Sequence, residues 1–278
     1  MPTLKVADSQ VVSYDDYGAG PGLMLVHGSP GSANAWQPVG QRLSDRFRIV
    51  APNLPGYGGT SLEEPGGLEG VAHAAGLLEA LMRETGVPDV LAGHSYGGVV
   101  ALAVALRGHV RPQALALFEP VCMPILLSVR DTQTFAGMKS VFDDYIRAYE
   151  DGDLQAARTM VEFWFGPGAY QQLPGQVRDF IVKHTASNVH DVRASFRERY
   201  APDAIRKLDM PVWVVYGSKS PEVSRKLAST LAALVPKGSL VKVDGATHAL
   251  TTTHGEQVAQ LIATLAKQSA DEGQPEKV

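Results

Sequence analysis

Gly93-His94-Ser95-Tyr96-Gly97 follows the apolar run Pro88-Asp89-Val90-Leu91-Ala92 and precedes the helix-like run Val99 to Leu106. A serine on so tight a turn between strand and helix is held in a strained backbone conformation, and glycines two residues before and after it let neighbouring chain approach closely. The hydroxyl then projects into a cleft. This is the pattern of a nucleophile elbow. The competing reading is a glycine-rich turn whose serine only caps the next helix; the strand before and the helix after favour the elbow.

Outward from the elbow, short runs rich in β-branched residues recur at Val11 to Tyr14, Leu23 to Val26, Arg48 to Ala51, Val90 to Ala92, Ala114 to Phe118, Val212 to Tyr216 and Ser239 to Val243. They read as strands. Helical periodicity fills Ala33 to Leu43, Gly70 to Thr85, Val99 to Leu106 and Ser224 to Leu234. Strand and helix in alternation predict an α/β fold built on a mainly parallel sheet, with chemistry in the loops at the carboxyl ends of the strands. Residues 122–206 break the alternation. They carry amphipathic segments at Thr134 to Tyr149, Leu154 to Phe165, Pro174 to Thr185 and His190 to Arg199, which predicts an all-helical insertion within a core made of 1–121 and 207–266. Its aromatic residues Phe163, Trp164, Phe165 and Tyr170 either line an apolar pocket above Ser95 or hold the insertion to the core. The polar stretch 267–278 is expected to fray.

With 278 residues, 45% of them hydrophobic, the chain can bury one large core. Twenty-five Lys and Arg against 29 Asp and Glu give a net charge of -4 without a basic run, so nucleic acid is not an expected partner. One cysteine, Cys122, cannot form an internal disulfide, and the first residues lack the apolar stretch of a signal peptide; a reducing cytoplasm is the expected compartment. No segment approaches the roughly 18 apolar residues of a membrane span, so no membrane partner is expected.

A serine hydroxyl needs a base within hydrogen-bonding reach and a third group to orient that base. Of eight histidines, His248 in Asp244-Gly245-Ala246-Thr247-His248 lies just beyond the last predicted strand, at the functional edge of the sheet. His254 is the runner-up. His94 is expected to point away from Ser95, and His73, His109, His184 and His190 fall in predicted helices or helix ends.

With His27-Gly28-Ser29-Pro30-Gly31 after an early strand and Asn53-Leu54-Pro55-Gly56-Tyr57-Gly58 after the next, the chain resembles the α/β-hydrolase superfamily with a helical cap from Leu23 to Leu265. The histidine comes last in chain order there, as His248 does here. The resemblance implies an oxyanion hole formed by the backbone N–H groups of Ser29 and Tyr96, and a loop-shaping role for His27. It also implies an aspartate in a Gly-x-x-Asp context, where this chain reads Gly217-Ser218-Lys219-Ser220-Pro221. Ser220 can accept a hydrogen bond from imidazole but offers no negative charge. Some α/β-hydrolases place the acid at the end of the preceding strand, which assigns the role to Glu119 in Leu115-Ala116-Leu117-Phe118-Glu119-Pro120; Glu222 and Asp244 are the alternatives.

These residues predict acyl transfer to water with Ser95 as nucleophile, His248 as base and Glu119 as acid, on a small, partly apolar ester, lactone or thioester. No metal or organic cofactor is required. Carbon–carbon bond hydrolysis is the nearest rival, on a partial likeness of Gly28 to Ala33 to the corresponding loop of those hydrolases. Cofactor-free haloperoxidase-like activity is a further one. A silent ligand-binding member of the fold is the alternative outside enzymes, favoured by Ser220 where an acid is usual. Cys122 reads as a buried, inert thiol.

Overall fold

Each central strand is apolar on both of its faces, which calls for a layer of helices on each side of the sheet. The computed structural model describes residues 2–7, 10–62 and 70–272. Its strands are β1 (Thr3–Ala7), β2 (Gln10–Tyr17), β3 (Gly22–Val26), β4 (Arg48–Pro52), β5 (Val90–His94), β6 (Ala114–Phe118), β7 (Val212–Gly217) and β8 (Gly238–Val243). They form one sheet in the order β1-β2-β4-β3-β5-β6-β7-β8. The pairs β1/β2 and β2/β4 are antiparallel, and every pair from β4/β3 to β7/β8 is parallel. The sequence reading starts the sheet at Val11; β1 adds a hairpin partner to that edge.

The helices of the core are α1 (Gln37–Leu43), which follows a 3-10 turn at Ala33–Trp36, α2 (Val71–Thr85) and α3 (Tyr96–Arg107). On one face of the sheet, Met24, Val26, Leu91, Leu115 and Leu117 pack with α2 and α3, and Val212 and Val214 pack with Leu227, Ala228 and Leu231. On the other, Leu23, Leu25, Val90, Ala92, Ala114, Ala116 and Phe118 pack against Trp36, Val39 and Leu43. The period-2 alternation along β3, β5 and β6 thus divides each strand between two cores.

From the end of β6 to the start of β7 the chain is helical: α4 (Ile125–Ser128), α5 (Thr132–Glu150), α6 (Ala157–Phe165), α7 (Ala169–Gln172), α8 (Gly175–Lys183), α9 (Thr185–Arg197) and α10 (Pro202–Ile205). Of these, α9 packs against α2, α3 and α5 and seats the insertion over the carboxyl end of the sheet. The chain closes with α11 (Glu222–Leu234), α12 (Leu250–Thr253) and α13 (Gly255–Glu272).

The stretch expected to fray from Lys267 is helical as far as Glu272, because Ala266 and Ser269 continue the buried stripe of α13. Lys237 Nζ also meets Glu272 Oε2 at 3.1 Å. Residues 273–278 of that stretch lie outside the described residues.

Candidate active site

Ser95 sits between β5 and α3 at φ +52°, a left-handed conformation that costs a side-chain-bearing residue energy. The flanking glycines have a steric cause. A Cβ on Gly93 would overlap the carbonyl oxygen of Gly97, and a Cβ on Gly97 would overlap the carbonyl oxygens of Val26 and His27. The serine side chain makes no capping bond to α3. Instead its Oγ lies 3.1 Å from Nε2 of His248.

His248 follows β8 through Gly245, which adopts φ +79° to turn the chain back over the sheet. The turn is tied to the end of β7 by Lys219 N–H donating to Ala246 O at 2.8 Å and Gly245 N–H donating to Ser218 Oγ at 2.8 Å. His248 Nδ1 donates to Glu119 Oε2 at 2.7 Å. Glu119 lies one residue past β6 at φ +48°, so a second strained non-glycine residue stands beside the first. Ser95, Glu119 and His248 are 7%, 2% and 5% exposed, so their contacts form away from bulk water.

Glu119 accepts three hydrogen bonds: from His248, from the Gly217 amide at 2.7 Å and from the Ser220 hydroxyl. Burial alone would raise its carboxyl, but these donors outweigh burial and hold it well below the usual carboxylate range. The other two candidate acids stand elsewhere. Glu222 opens α11 and faces Arg225 at 3.5 Å; Asp244 faces Lys242 at 2.8 Å; both are largely exposed. His254 is also apart, bonded to Thr253 Oγ1 at 2.9 Å.

His94 has a structural part at the site. Its Nε2–H donates to the His248 carbonyl at 2.8 Å, with the two rings 5.0 Å apart, so it holds the turn that presents His248. Burial, reinforced by His248, pushes its pKa well down, which suits a neutral donor. No sequence signal marks this role, because it depends on the approach of a loop 154 residues away.

Ser29 and Tyr96 line one cavity with Ser95. The Tyr96 N–H belongs to the first turn of α3, where amides point out of the helix end. The Ser29 loop is shaped by His27, whose Nε2 accepts the Leu54 N–H at 3.0 Å and whose Nδ1–H donates to Gly28 O at 2.7 Å. Burial lowers the His27 pKa to about 4, so the ring is neutral and can do both.

The cavity encloses about 20 Å³, room for a water-sized group or two. Val121, Met123, Phe142, Met160 and Trp164 form its apolar wall; Asn188, Asp191 and Ser195 of α9 form a polar one. Trp164 stacks on the His248 ring at 4.4 Å with 13° between the planes. Phe163 packs instead against Phe142 at 5.1 Å, and Tyr170 is buried among apolar residues. The aromatic residues of the insertion therefore divide between the two roles considered for them. Cys122 is fully buried and its thiol is pushed up to about 12.

Residues 23–261 match the Alpha/beta hydrolase family. A pimeloyl-[acyl-carrier protein] methyl ester esterase of Methylococcus capsulatus is 30% identical over 258 residues, covering 88% of this chain and 94% of that protein. The Vibrio cholerae protein of the same name is 27% identical over 260 residues, covering 90% and 95%. Among solved structures, a thermophilic esterase from Thermogutta terrifontis superposes with a TM-score of 0.72 at 21% identity, covering 97% of this chain and 99% of that one. No helix among the described residues is long and apolar enough to cross a membrane.

Proposed function

This chain belongs to the alpha/beta hydrolase family, and from that premise we propose that it is a serine esterase whose triad is Ser95, His248 and Glu119. The observation that carries the reading is the unbroken hydrogen-bonded path from Glu119 through His248 to a strained Ser95. The acid one strand away from its usual place removes the main argument for a silent binding protein. The names of the relatives support ester cleavage. Their carrier-bound substrate is not carried over; the apolar wall beside Ser95 supports a small, partly apolar ester.

In this reaction His248 Nε2 takes the Ser95 proton as Oγ bonds to the ester carbonyl carbon. The carbonyl oxygen becomes negative and is held by the N–H groups of Ser29 and Tyr96. His248 then protonates the departing alcohol, leaving Ser95 acylated. Water gives a proton to His248 and its oxygen to the acyl carbon, and Ser95 regains the proton as the acid leaves. Glu119 keeps the imidazole in the tautomer with hydrogen on Nδ1 and stabilises the imidazolium in both halves. Residues 122–206 act as the cap over a core of 1–121 and 207–266. The charge balance and single buried thiol support a cytoplasmic enzyme acting on a small molecule.

The test is single-turnover release of p-nitrophenol from p-nitrophenyl acetate, with fluorophosphonate labelling in parallel. A burst and a label, both lost in Ser95→Ala, are expected. A parent protein with neither would overturn the reading.

A further inference from the structure

Asp191 is a carboxylate only 3% exposed, in the middle of α9, and the reaction just described gives it no task. Burying such a group is costly unless its oxygens are well met. Oδ2 accepts the Tyr57 hydroxyl proton at 2.8 Å, and His190 Nδ1 stands 3.6 Å from Oδ1. Burial raises the Asp191 pKa against the pull of these partners.

The hydroxyl of Tyr57 does not stop at Asp191. Its oxygen lies 2.8 Å from Ser29 Oγ, and Ser29 Oγ accepts the Asn188 amide N–H at 2.8 Å. Asn188 Oδ1 in turn accepts the Tyr145 hydroxyl proton at 2.8 Å. An amide nitrogen can only donate and a carboxylate can only accept, whereas either of the two hydroxyls can donate to the other; Ser29 also bonds to Asp191 itself. The bonds lead from Tyr145 through Asn188 to the paired hydroxyls of Ser29 and Tyr57, and from both hydroxyls to Asp191, each bond polarising the next toward the carboxylate.

The path joins three regions. Tyr145, Asn188 and Asp191 belong to the insertion, Ser29 to the loop after β3 and Tyr57 to the loop after β4. Its middle member is the residue whose backbone N–H is one of the two oxyanion donors. With Ser29 held at both its lone pair and its proton, the side chain has one orientation, and its own backbone is fixed with it.

We propose that Asp191 is a positioning residue for the oxyanion hole: through the Tyr57 and Ser29 hydroxyls, it locks the Ser29 amide in register with Ser95 and couples that amide to the seat of the insertion. The proposal rests on the esterase reading, since it needs Ser29 as an oxyanion donor. A donor displaced by a fraction of an ångström loses much of its effect on the transition state while leaving ground-state binding intact.

Tyr57→Phe deletes only the bridging oxygen. It is expected to lower kcat on an aryl acetate about tenfold or more, with KM within about twofold. An aryl thionoacetate, whose sulfur is a poor hydrogen-bond acceptor, gains little from the oxyanion hole. The ratio of oxo to thiono kcat is therefore expected to fall in Tyr57→Phe and in Asp191→Asn, with melting temperatures recorded alongside. Should Tyr57→Phe not fold, Asp191→Asn carries the same readouts. Unchanged kcat, or a kcat loss with the oxo-to-thiono ratio of the parent, overturns the proposal and leaves the esterase reading in place. A parent without Ser95-dependent turnover overturns both.

Discussion

Ser220 donates its hydroxyl proton to the Glu119 oxygen that the Gly217 amide also reaches, while the other oxygen of Glu119 holds His248. Ser220 thus supports the carboxylate proposed as the triad acid. Glu119→Gln removes the charge and lets the side-chain amide favour the wrong imidazole tautomer. It is expected to lower kcat by about 10³ or more with little change in KM, read by steady-state hydrolysis of p-nitrophenyl acetate. Adding Ser220→Asp to Glu119→Gln returns a carboxylate to the same corner and is expected to recover about tenfold. No recovery would mean that a carboxylate at position 220 does not reach His248.

Ser220→Ala leaves the charge of Glu119 in place, so most of the activity at neutral pH is expected to survive. The effect appears in acid. Donors to the ionised form lower a carboxyl pKa, and deleting one raises it. Glu119 then takes up its proton at a higher pH, nearer to its value in the unfolded chain, so the ionised carboxylate adds less stability above that pH and less is lost as pH falls. The fall of urea-unfolding stability as pH drops below the ordinary carboxylate value is expected to be shallower in Ser220→Ala than in the parent; an unchanged slope would show that Gly217 and His248 alone hold the carboxylate ionised.

Which parts of this arrangement were legible follows from which carry local patterns. Ser95 was readable because strain and close approach demand Gly93 and Gly97, and His248 and Glu119 because strand ends are recognisable by their β-branched runs. Asp191 and Asn188 were not, since polar residues in an amphipathic helix look alike whether they face water or a catalytic loop. The contact of His94 with the His248 carbonyl joins positions distant in sequence, and local pattern places that ring outside the site. The end of α13 misled in the other direction: Lys267 to Glu272 are polar enough to read as a tail, yet Ser269 keeps the buried stripe going.

Gly97→Ala tests the steric account of the elbow. The new Cβ would strike the backbone oxygens of Val26 and His27, which cannot move aside as a flexible side chain can. A loss of about 3 kcal/mol in urea unfolding is expected, together with weak fluorophosphonate labelling of Ser95. Full stability with full labelling would mean that β3 can retreat without disturbing the serine.

Trp164 lines the cavity beside Ser95 and stacks on His248, which makes it the candidate that sets acyl length. Its ring lies flat on the imidazole and forms part of the apolar wall, so removing it opens space for a longer acyl group beside Ser95. The parent enzyme is expected to prefer acetate to hexanoate among p-nitrophenyl esters. Trp164→Ala is expected to raise the hexanoate-to-acetate ratio of kcat/KM by about tenfold, the scale of a few methylenes gaining a hydrophobic pocket. Because the side chain is buried, the same change is expected to cost about 3 kcal/mol in urea unfolding. If stability falls but the ratio stays at its parent value, Trp164 holds the insertion together without shaping the acyl site, and the apolar wall of Met123, Phe142 and Met160 sets the chain length instead.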